Sequence, residues 1–157
     1  MSKNFMIPEE VGLIQALEPQ VNTGALAGDY ISMKLAHKVL VIFHMAQGHA
    51  AQAVLSLTKA TNVAGDDEAA VAATFPIYYN LDCTTDTFTR ATDAASYTLS
   101  VGLTNKLVVF VIDPSIVPGF DCISAAVGAS NILNIIGVTY QVLPRYAGNG
   151  LPSMITD

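Results

Sequence analysis

Charged residues and cysteine are scarce in this 157-residue sequence, and tryptophan is absent. Charged residues make up 13% of the chain, whereas an average soluble domain has about 25%. So little charge can coat only part of a small domain, and we expect the remaining surface to be buried against partners. The two cysteines, Cys83 and Cys122, lie far apart and outside any metal-type spacing. This favours two reduced thiols, with a disulfide between them as the alternative.

Long apolar runs are also missing, although 52% of the residues are hydrophobic. The run Leu107–Ile112 is closed by Lys106 and Asp113, and the run Val39–Ala46 is interrupted by His44. A membrane-spanning helix needs about 20 such residues, so neither run predicts one. The first residues, MSKNFMIPEEVG, show no apolar core followed by a cleavage site, and we expect no secretory signal.

Positive charge is too sparse for a nucleic-acid partner. The net charge is −6, and the seven lysines and arginines are scattered through the sequence without forming a patch or stripe. We therefore expect no nucleic acid and no membrane among the partners.

Two neighbouring stretches carry the clearest pattern, His37–Ala46 and Gln52–Ala60. In the first, Val39, Val41, Phe43 and Met45 alternate with Leu40, Ile42 and His44, which is the period-two pattern of a β-strand. Both faces of this strand are largely apolar, so we expect both to be covered. In the second, Leu55 and Leu57 alternate with Ser56 and Thr58, which predicts one buried and one solvated face. With the turn Gln47-Gly48-His49 between them, the two stretches are predicted to form a β-hairpin.

The rest of the chain continues the β pattern in short segments, and Leu107–Asp113, apolar on both faces, is predicted to be a central, covered strand. The other candidate strands are Tyr30–Lys34, Thr74–Asn80, Thr87–Thr92, Ser96–Val101, Phe120–Val127 and Ile132–Leu143. Short strands at this spacing are typical of an all-β sandwich or barrel. We predict a jelly-roll-like β-sandwich of roughly eight strands, because double-sheet packing protects exposed edges.

The ends of the chain differ from this middle part, which defines a predicted β-sandwich domain over residues 29–147. Residues 1–28 are predicted to be an N-terminal arm, in which Glu9–Leu17 forms a short helix with Val11, Ile14 and Leu17 on one side. A fraying terminus is the alternative, but the apolar residues favour an arm that packs on a neighbouring subunit. Residues 148–157 are predicted to be a Gly/Pro-rich C-terminal tail.

No catalytic or metal-binding motif emerges from the sequence. His37 and His44 are seven residues apart on one strand and therefore point to opposite faces, and His49 follows the turn. The acidic cluster Asp66–Glu68 lacks the alternating ligand spacing of a calcium loop and is predicted to be a solvated turn. Nucleophile elbows, phosphate loops and dinucleotide fingerprints are absent. We expect no enzyme activity, no cofactor and no metal.

The segment from Tyr30 to Lys34 and the run HKVLVIFHMAQGHAAQAVLSLTKATNVAGDDEAA resemble small virion proteins of tailed bacteriophages. Later landmarks fit the same pattern: Leu107–Asp113, the segment Phe120–Ser124 and the closing Pro144–Tyr146. The resemblance covers residues 29–147 and concerns the pattern and order of segments. It implies a β-sandwich accessory protein of the phage head, of the decoration, cement or head-spike-base type.

Such proteins bind the capsid as trimers or, at the vertices, as pentamers. The resemblance therefore implies a structural protein that is assembled in the host cytoplasm, lies on the phage head, and has itself and the major capsid protein or another virion protein as partners. The residues expected at the interface, because they are apolar or lie outside the sandwich pattern, are Ile7, Val11, Ile14, Leu17, Arg145, Tyr146, Leu151 and Ile155.

Three other functions stay open from the sequence. One is another virion position, in a tail, collar or fibre base. Another is a carbohydrate-binding β-sandwich module, which the absence of tryptophan weakens although Tyr78, Tyr79 and Tyr97 remain. The last is a jelly-roll metalloenzyme.

Overall fold

The computed structural model of the protein describes residues 11–146 and 153–155. In this part the chain forms two antiparallel sheets of six strands each, arranged as a sandwich, and one short 3-10 helix, Pro114–Ile116. The predicted all-β sandwich is therefore confirmed. The strands are β1 (Gly12–Val21), β2 (Leu26–Ala27), β3 (Ile31–Ser32), β4 (Ala36–Gln47), β5 (Val54–Ala60), β6 (Ala69–Ala70), β7 (Ile77–Asn80), β8 (Thr89–Arg90), β9 (Ser96–Thr98), β10 (Asn105–Ile112), β11 (Cys122–Val127) and β12 (Asn134–Pro144).

The twelve strands form two sheets, A and B. Sheet A has the order β1-β12-β4-β10-β7-β8, and sheet B has the order β2-β11-β5-β6, with β3 also paired to β11 and β9 to β5. Eight of these twelve strands have three or more residues, in agreement with the roughly eight predicted. No helix in residues 11–146 or 153–155 is long and apolar enough to cross a membrane.

The core lies between the two sheets. In β4 it contains every second residue from Val39 to Met45, as the sequence predicted. Val39, Val41, Phe43 and Met45 are buried and face sheet B. From sheet B, Leu55 and Leu57 are buried, as predicted, while Ser56 and Thr58 are half-exposed. In the centre, the ring of Phe110 lies 4.9 Å from the ring of Phe43 and 4.9 Å from that of Phe75.

Tyr140 joins the two sheets through the core. Its ring is fully buried on β12, and its hydroxyl accepts a hydrogen bond from the backbone N–H of Ala125 on β11 at 2.7 Å. The same hydroxyl donates to the backbone carbonyl of Asp29 at 3.0 Å. Burial raises the pKa of Tyr140 far above its usual value, so the hydroxyl stays protonated and keeps both bonds.

The helix predicted for Glu9–Leu17 is wrong where the structure describes it, because Gly12–Val21 is the edge strand β1 and pairs with β12. Two register irregularities, between Gln15 and Leu17 and between Leu17 and Gln20, interrupt the period-two pattern. A bulge places an extra residue on one strand, so buried positions recur at irregular intervals. The first irregularity thus allows Leu17 to be buried three residues after Ile14, which is a helix-like spacing, while Val11 lies before the strand.

The predicted hairpin is also wrong. β4 lies in sheet A and β5 lies in sheet B, so residues 48–53 carry the chain from one sheet to the other. Stacked sheets are about 10 Å apart, a distance that these six residues can span. The predicted alternation of buried and exposed residues within β4 and within β5 is correct. The two strands follow each other in the sequence but do not pair in a sheet.

The ends of the described chain pack on the sandwich. Residues 11–28, predicted to belong to an arm, provide β1 to sheet A and β2 to sheet B. Met154 is buried, and its carbonyl accepts a hydrogen bond from Ser32 N–H at 2.8 Å. Cys83 is exposed and Cys122 is buried, and no disulfide joins them.

Candidate interaction surface

The side of sheet A that faces away from sheet B carries a broad apolar surface, which we call the outer face. It is formed by the residues that alternate with the core residues of the central strands. They are Leu40, Ile42 and His44 on β4, Leu107, Val109 and Val111 on β10, Tyr78 on β7, and Thr139 and Gln141 on β12. All are partly exposed.

Strand register places these side chains in rows across the sheet. Val109 lies between Ile42 on β4 and Tyr78 on β7, and Val111 lies beside Leu40. Neighbouring strands are about 4.8 Å apart, so the side chains within a row are in contact. The sequence predicted that β4 and β10 are covered on both faces, whereas within the described chain sheet B covers only one face of sheet A.

Charge is nearly absent from the outer face. The strands β4, β7, β10 and β12 contain no aspartate or glutamate. Of their two lysines, Lys106 is buried toward the core side and Lys38 is exposed at the end of the outer face. The acidic cluster Asp66–Glu68 lies between β5 and β6, in the other sheet.

His44 is the ionisable residue in the middle of this face. It lies between Leu107 on β10 and Gly137 on β12, and partial burial lowers its pKa from the usual value. A Cβ on Gly137 would approach Pro19 within 3.2–3.3 Å, so Pro19 of β1 packs directly over the Gly137 backbone. The irregular part of β1 therefore folds over the outer face beside His44.

A second apolar area lies at one end of the sandwich, where the loops 22–25, 48–53, 99–104 and 128–133 meet. We call it the loop end. Its exposed apolar residues, with exposed fractions between 44% and 63%, are Val21, Val54, Val101, Leu103, Ile132, Leu133 and Ile135. Single exposed apolar residues are ordinary, but a contiguous group marks an interaction surface.

The loop end is held by buried polar side chains. The Asn134 side chain is fully buried, accepts from His49 N–H at 2.8 Å, and donates to the Ala51 carbonyl at 3.1 Å and to Ser130 Oγ at 2.8 Å. Because one amide binds two loops, 48–53 and 128–133, their apolar tips are fixed in place before any partner arrives.

Lys106 performs the same task on the other side of the loop end. It is 2% exposed, and its Nζ donates to Gln47 Oε1 and to the backbone carbonyls of Ser100 and Gly102. Burial lowers the pKa of its ammonium group. No carboxylate is among these acceptors, so Lys106 fastens the loop that carries Val101 rather than forming an ion pair.

The predicted interface residues have different surroundings. Val11 and Leu17 are buried inside the chain, at 3% and 8% exposure, and Ile14 packs against the core. Arg145 donates from Nε to the Ala36 carbonyl at 2.9 Å. Tyr146 and Ile155 are exposed, whereas Ile7 and Leu151 lie outside the described residues. Whether any of them meets a partner stays a prediction.

The residues considered for chemistry are spread over the molecule. His37 and His44 lie on β4, and His49 lies in the loop after it, where its Nδ1 accepts from Ala51 N–H at 3.0 Å. Within residues 11–146 and 153–155 no three histidine, cysteine, aspartate or glutamate side chains form a group that could hold a metal ion. A pocket of about 310 Å³ beside the loop end is lined by Gln47, Asp82, Cys83, Thr84, Leu103, Thr104 and Asn105.

No protein-family model matches the chain, and no curated protein sequence matches it. The SPBc2 prophage-derived protein YomS is similar in its crystal structure, with a TM-score of 0.49 and 11% sequence identity. The similarity covers 88% of this chain and 98% of that chain.

The sequence did hold a signal for the outer face. Strands β4 and β10 are apolar at odd and at even positions, which predicts cover on both sides. The loop end left no such signal, because Val21, Val101 and Leu133 come from distant segments without a shared motif. Only the fold brings them together.

Proposed function

We propose that the protein is a structural, non-catalytic component of a tailed-phage particle, which binds the head as a homo-oligomer. The observation that carries this proposal is the outer face. A half-exposed sheet surface with Ile42, Val109 and Val111 at its centre and no acidic residue on its central strands is suited to association rather than to solvent.

A protein that assembles with itself and also binds a shell needs two separate surfaces. The outer face lies on the broad side of sheet A, and the loop end lies at the tip of the sandwich. The loop end is prepared for docking by the hydrogen bonds of Asn134 and Lys106, which reduce the entropy lost on binding. We assign the outer face to self-association and the loop end to the virion partner.

The resemblance of residues 29–147 to small virion proteins supports the assignment to a phage particle. The charge distribution supports it as well, because a net charge of −6 without a basic patch keeps the protein from binding packaged DNA.

Electron microscopy of phage particles tests this proposal. Particles released by the strain that encodes the chain would be labelled with gold-coupled antibodies raised against the purified protein. Label on heads supports the proposal, label confined to tails or collars supports the other virion position, and particles without label contradict both. Particles that lack the gene serve as the control.

The loop-end assignment has its own test. Leu133→Lys places a charge at a side chain that is 60% exposed, and Leu35→Lys places the same charge at one that is 41% exposed in the turn before β4, away from both surfaces. We expect Leu133→Lys to lower the occupancy of the protein on particles at least tenfold and Leu35→Lys to leave it unchanged. Equal occupancy of both variants would contradict the assignment.

A carbohydrate-binding module is the alternative outside the virion. Tyr79 and Tyr97 stack on each other with ring centroids 5.4 Å apart, so much of their ring surface is already used within the chain. Tyr78 is the tyrosine of the three that lies on the outer face. Specific binding on a glycan array would favour this module over the structural role.

A further inference from the structure

We propose that the outer face of sheet A is covered by the same face of a second copy, so that two sandwiches pack face to face around a two-fold axis. This inference rests on the proposed self-association and names the surface that mediates it. In the pair, Ile42, Val109 and Val111 of one copy contact the outer face of the other.

The area of the outer face is sufficient for a stable pair. With about 4.8 Å between strands and about 3.3 Å per residue, the strands β1, β12, β4 and β10 span about 19 Å, and their eight shared rows extend for about 26 Å. The short strand β7 covers four of these rows and adds about 60 Å². Each copy then presents about 560 Å², and a pair buries about 1,100 Å², which exceeds the roughly 1,000 Å² expected of a biological interface.

The charge distribution favours a second copy as the occupant. Two copies of net charge −6 repel each other, and the repulsion is smallest where acidic residues are farthest from the contact. The central strands of sheet A have none, and the cluster Asp66–Glu68 is in sheet B, on the far side of each sandwich. Register also places Arg90 of β8 on this side, beside Tyr78 at the rim, where it is already paired with Asp93. A strongly charged partner would therefore find little opposite charge beyond Lys38 at the end of the face, whereas a nearly uncharged apolar face complements itself.

The edges of sheet A are protected against pairing with another strand. The outer face is therefore the part of sheet A that is available for association. The edge strand β1 carries Glu18, Pro19 and two register irregularities, and these features block the addition of another strand. The opposite edge is the two-residue strand β8, beside which Arg90 and Asp93 form an ion pair at 2.9 Å. Growth by edge-to-edge pairing is therefore disfavoured at both ends of the sheet.

The test compares the native mass of lysine variants on the two sheets, by sedimentation velocity at several concentrations. Val109→Lys and Thr139→Lys place a charge on the outer face, and Thr139 is already polar, so its replacement spares the fold. Val54→Lys and Thr98→Lys are the matched controls, because both residues are exposed on strands of sheet B. Circular dichroism and thermal unfolding establish that each variant is folded.

We expect the wild type and both controls to form dimers, and both outer-face variants to dissociate with a Kd at least about 100-fold higher, because each pair would bury two like charges. A monomeric wild type, or folded outer-face variants that keep the mass of the wild type, would overturn the inference. A trimer or pentamer unaffected by Thr139→Lys would overturn the face-to-face pair and leave the proposed virion function standing. The absence of antibody label on phage particles would contradict the proposed virion function, whatever native mass sedimentation gives.

Discussion

Replacement of Tyr140 by phenylalanine is expected to destabilise the fold without changing the packing of its ring. The substitution removes one hydroxyl, which leaves the buried Ala125 N–H without its acceptor and the Asp29 carbonyl without a donor. A buried donor left unpaired costs about 1–3 kcal/mol. For a chain of this size about 1 kcal/mol corresponds to 2–4 °C, so we expect the Tm to fall by roughly 2–12 °C.

Tyr146→Phe is the matched control, because Tyr146 is 74% exposed and loss of its hydroxyl is expected to change stability by less than about 0.5 kcal/mol. Urea unfolding followed by circular dichroism suits this protein, which has no tryptophan to report by fluorescence. All variants should be compared at one protein concentration, since association adds to apparent stability. If Tyr140→Phe is as stable as Tyr146→Phe, the hydroxyl does not join the sheets as argued.

The same variant makes a prediction about alkaline pH. The pKa of Tyr140 is raised in the folded protein above the ordinary value of 10.0. Above pH 10 the unfolded chain therefore releases a proton that the folded chain retains, and stability falls as the pH rises. We expect a shallower alkaline decline for Tyr140→Phe than for the wild type. Parallel declines would contradict the assigned burial.

Three further variants or conditions test other parts of the structure. Asn134→Ala removes three buried hydrogen bonds at the loop end and is expected to cost about 2–4 kcal/mol in urea unfolding; a loss below about 0.5 kcal/mol would show that the loops hold without this amide. Gly137→Ala forces a Cβ against Pro19 and is expected to cost about 1–3 kcal/mol, whereas Gly24→Ala, with open space around the added Cβ, should be tolerated. The pKa of His44 is lowered by burial, so the unfolded or dissociated chain binds the proton more readily, and both stability and association should weaken as the pH falls below about 6.5. No titratable side chain lies beside His44 in register on β10 or β12, and Glu18 is the acid next to Pro19 on β1. Sedimentation that is unchanged down to pH 5 would contradict this expectation.

The sequence predicted strands where side-chain alternation alone decides the structure. β4 followed from Val39, Val41 and Phe43, and β10 and β12 lie within or close to their predicted ranges, because buried strands need apolar residues on the core side whatever their partners. Sheet membership did not follow, because β4 and β5 each pair with distant segments. Pairing depends on cross-strand contacts that local sequence does not record.

The candidate surface was only partly predictable for the same reason. The two apolar faces of β4 pointed to cover on both sides, which is the signal behind the outer face. The helix over Glu9–Leu17 was predicted from the spacing of Val11, Ile14 and Leu17; the first irregularity of β1 accounts for the interval from Ile14 to Leu17, and Val11 lies before the strand. The sequence did not show that the side chains of Asn134 and Lys106 hold the loops by hydrogen bonds. Asparagine and lysine are mostly exposed in proteins, so a buried one cannot be recognised until its partners are known.

The position of β12 has a consequence for how the protein is made. β12 is the last strand in the part of the chain that the structure describes, yet it lies between β1, the first strand of that part, and β4. The starts of β1 and β12, Gly12 and Asn134, are 122 residues apart, and at about 5–20 residues per second a ribosome needs about 6–25 s to cover that distance. During this time β1 has emerged without its partner and one side of β4 is open. The newly made chain therefore depends on β12 to close sheet A, and truncation before β12 should yield a protein that aggregates rather than a shortened sandwich.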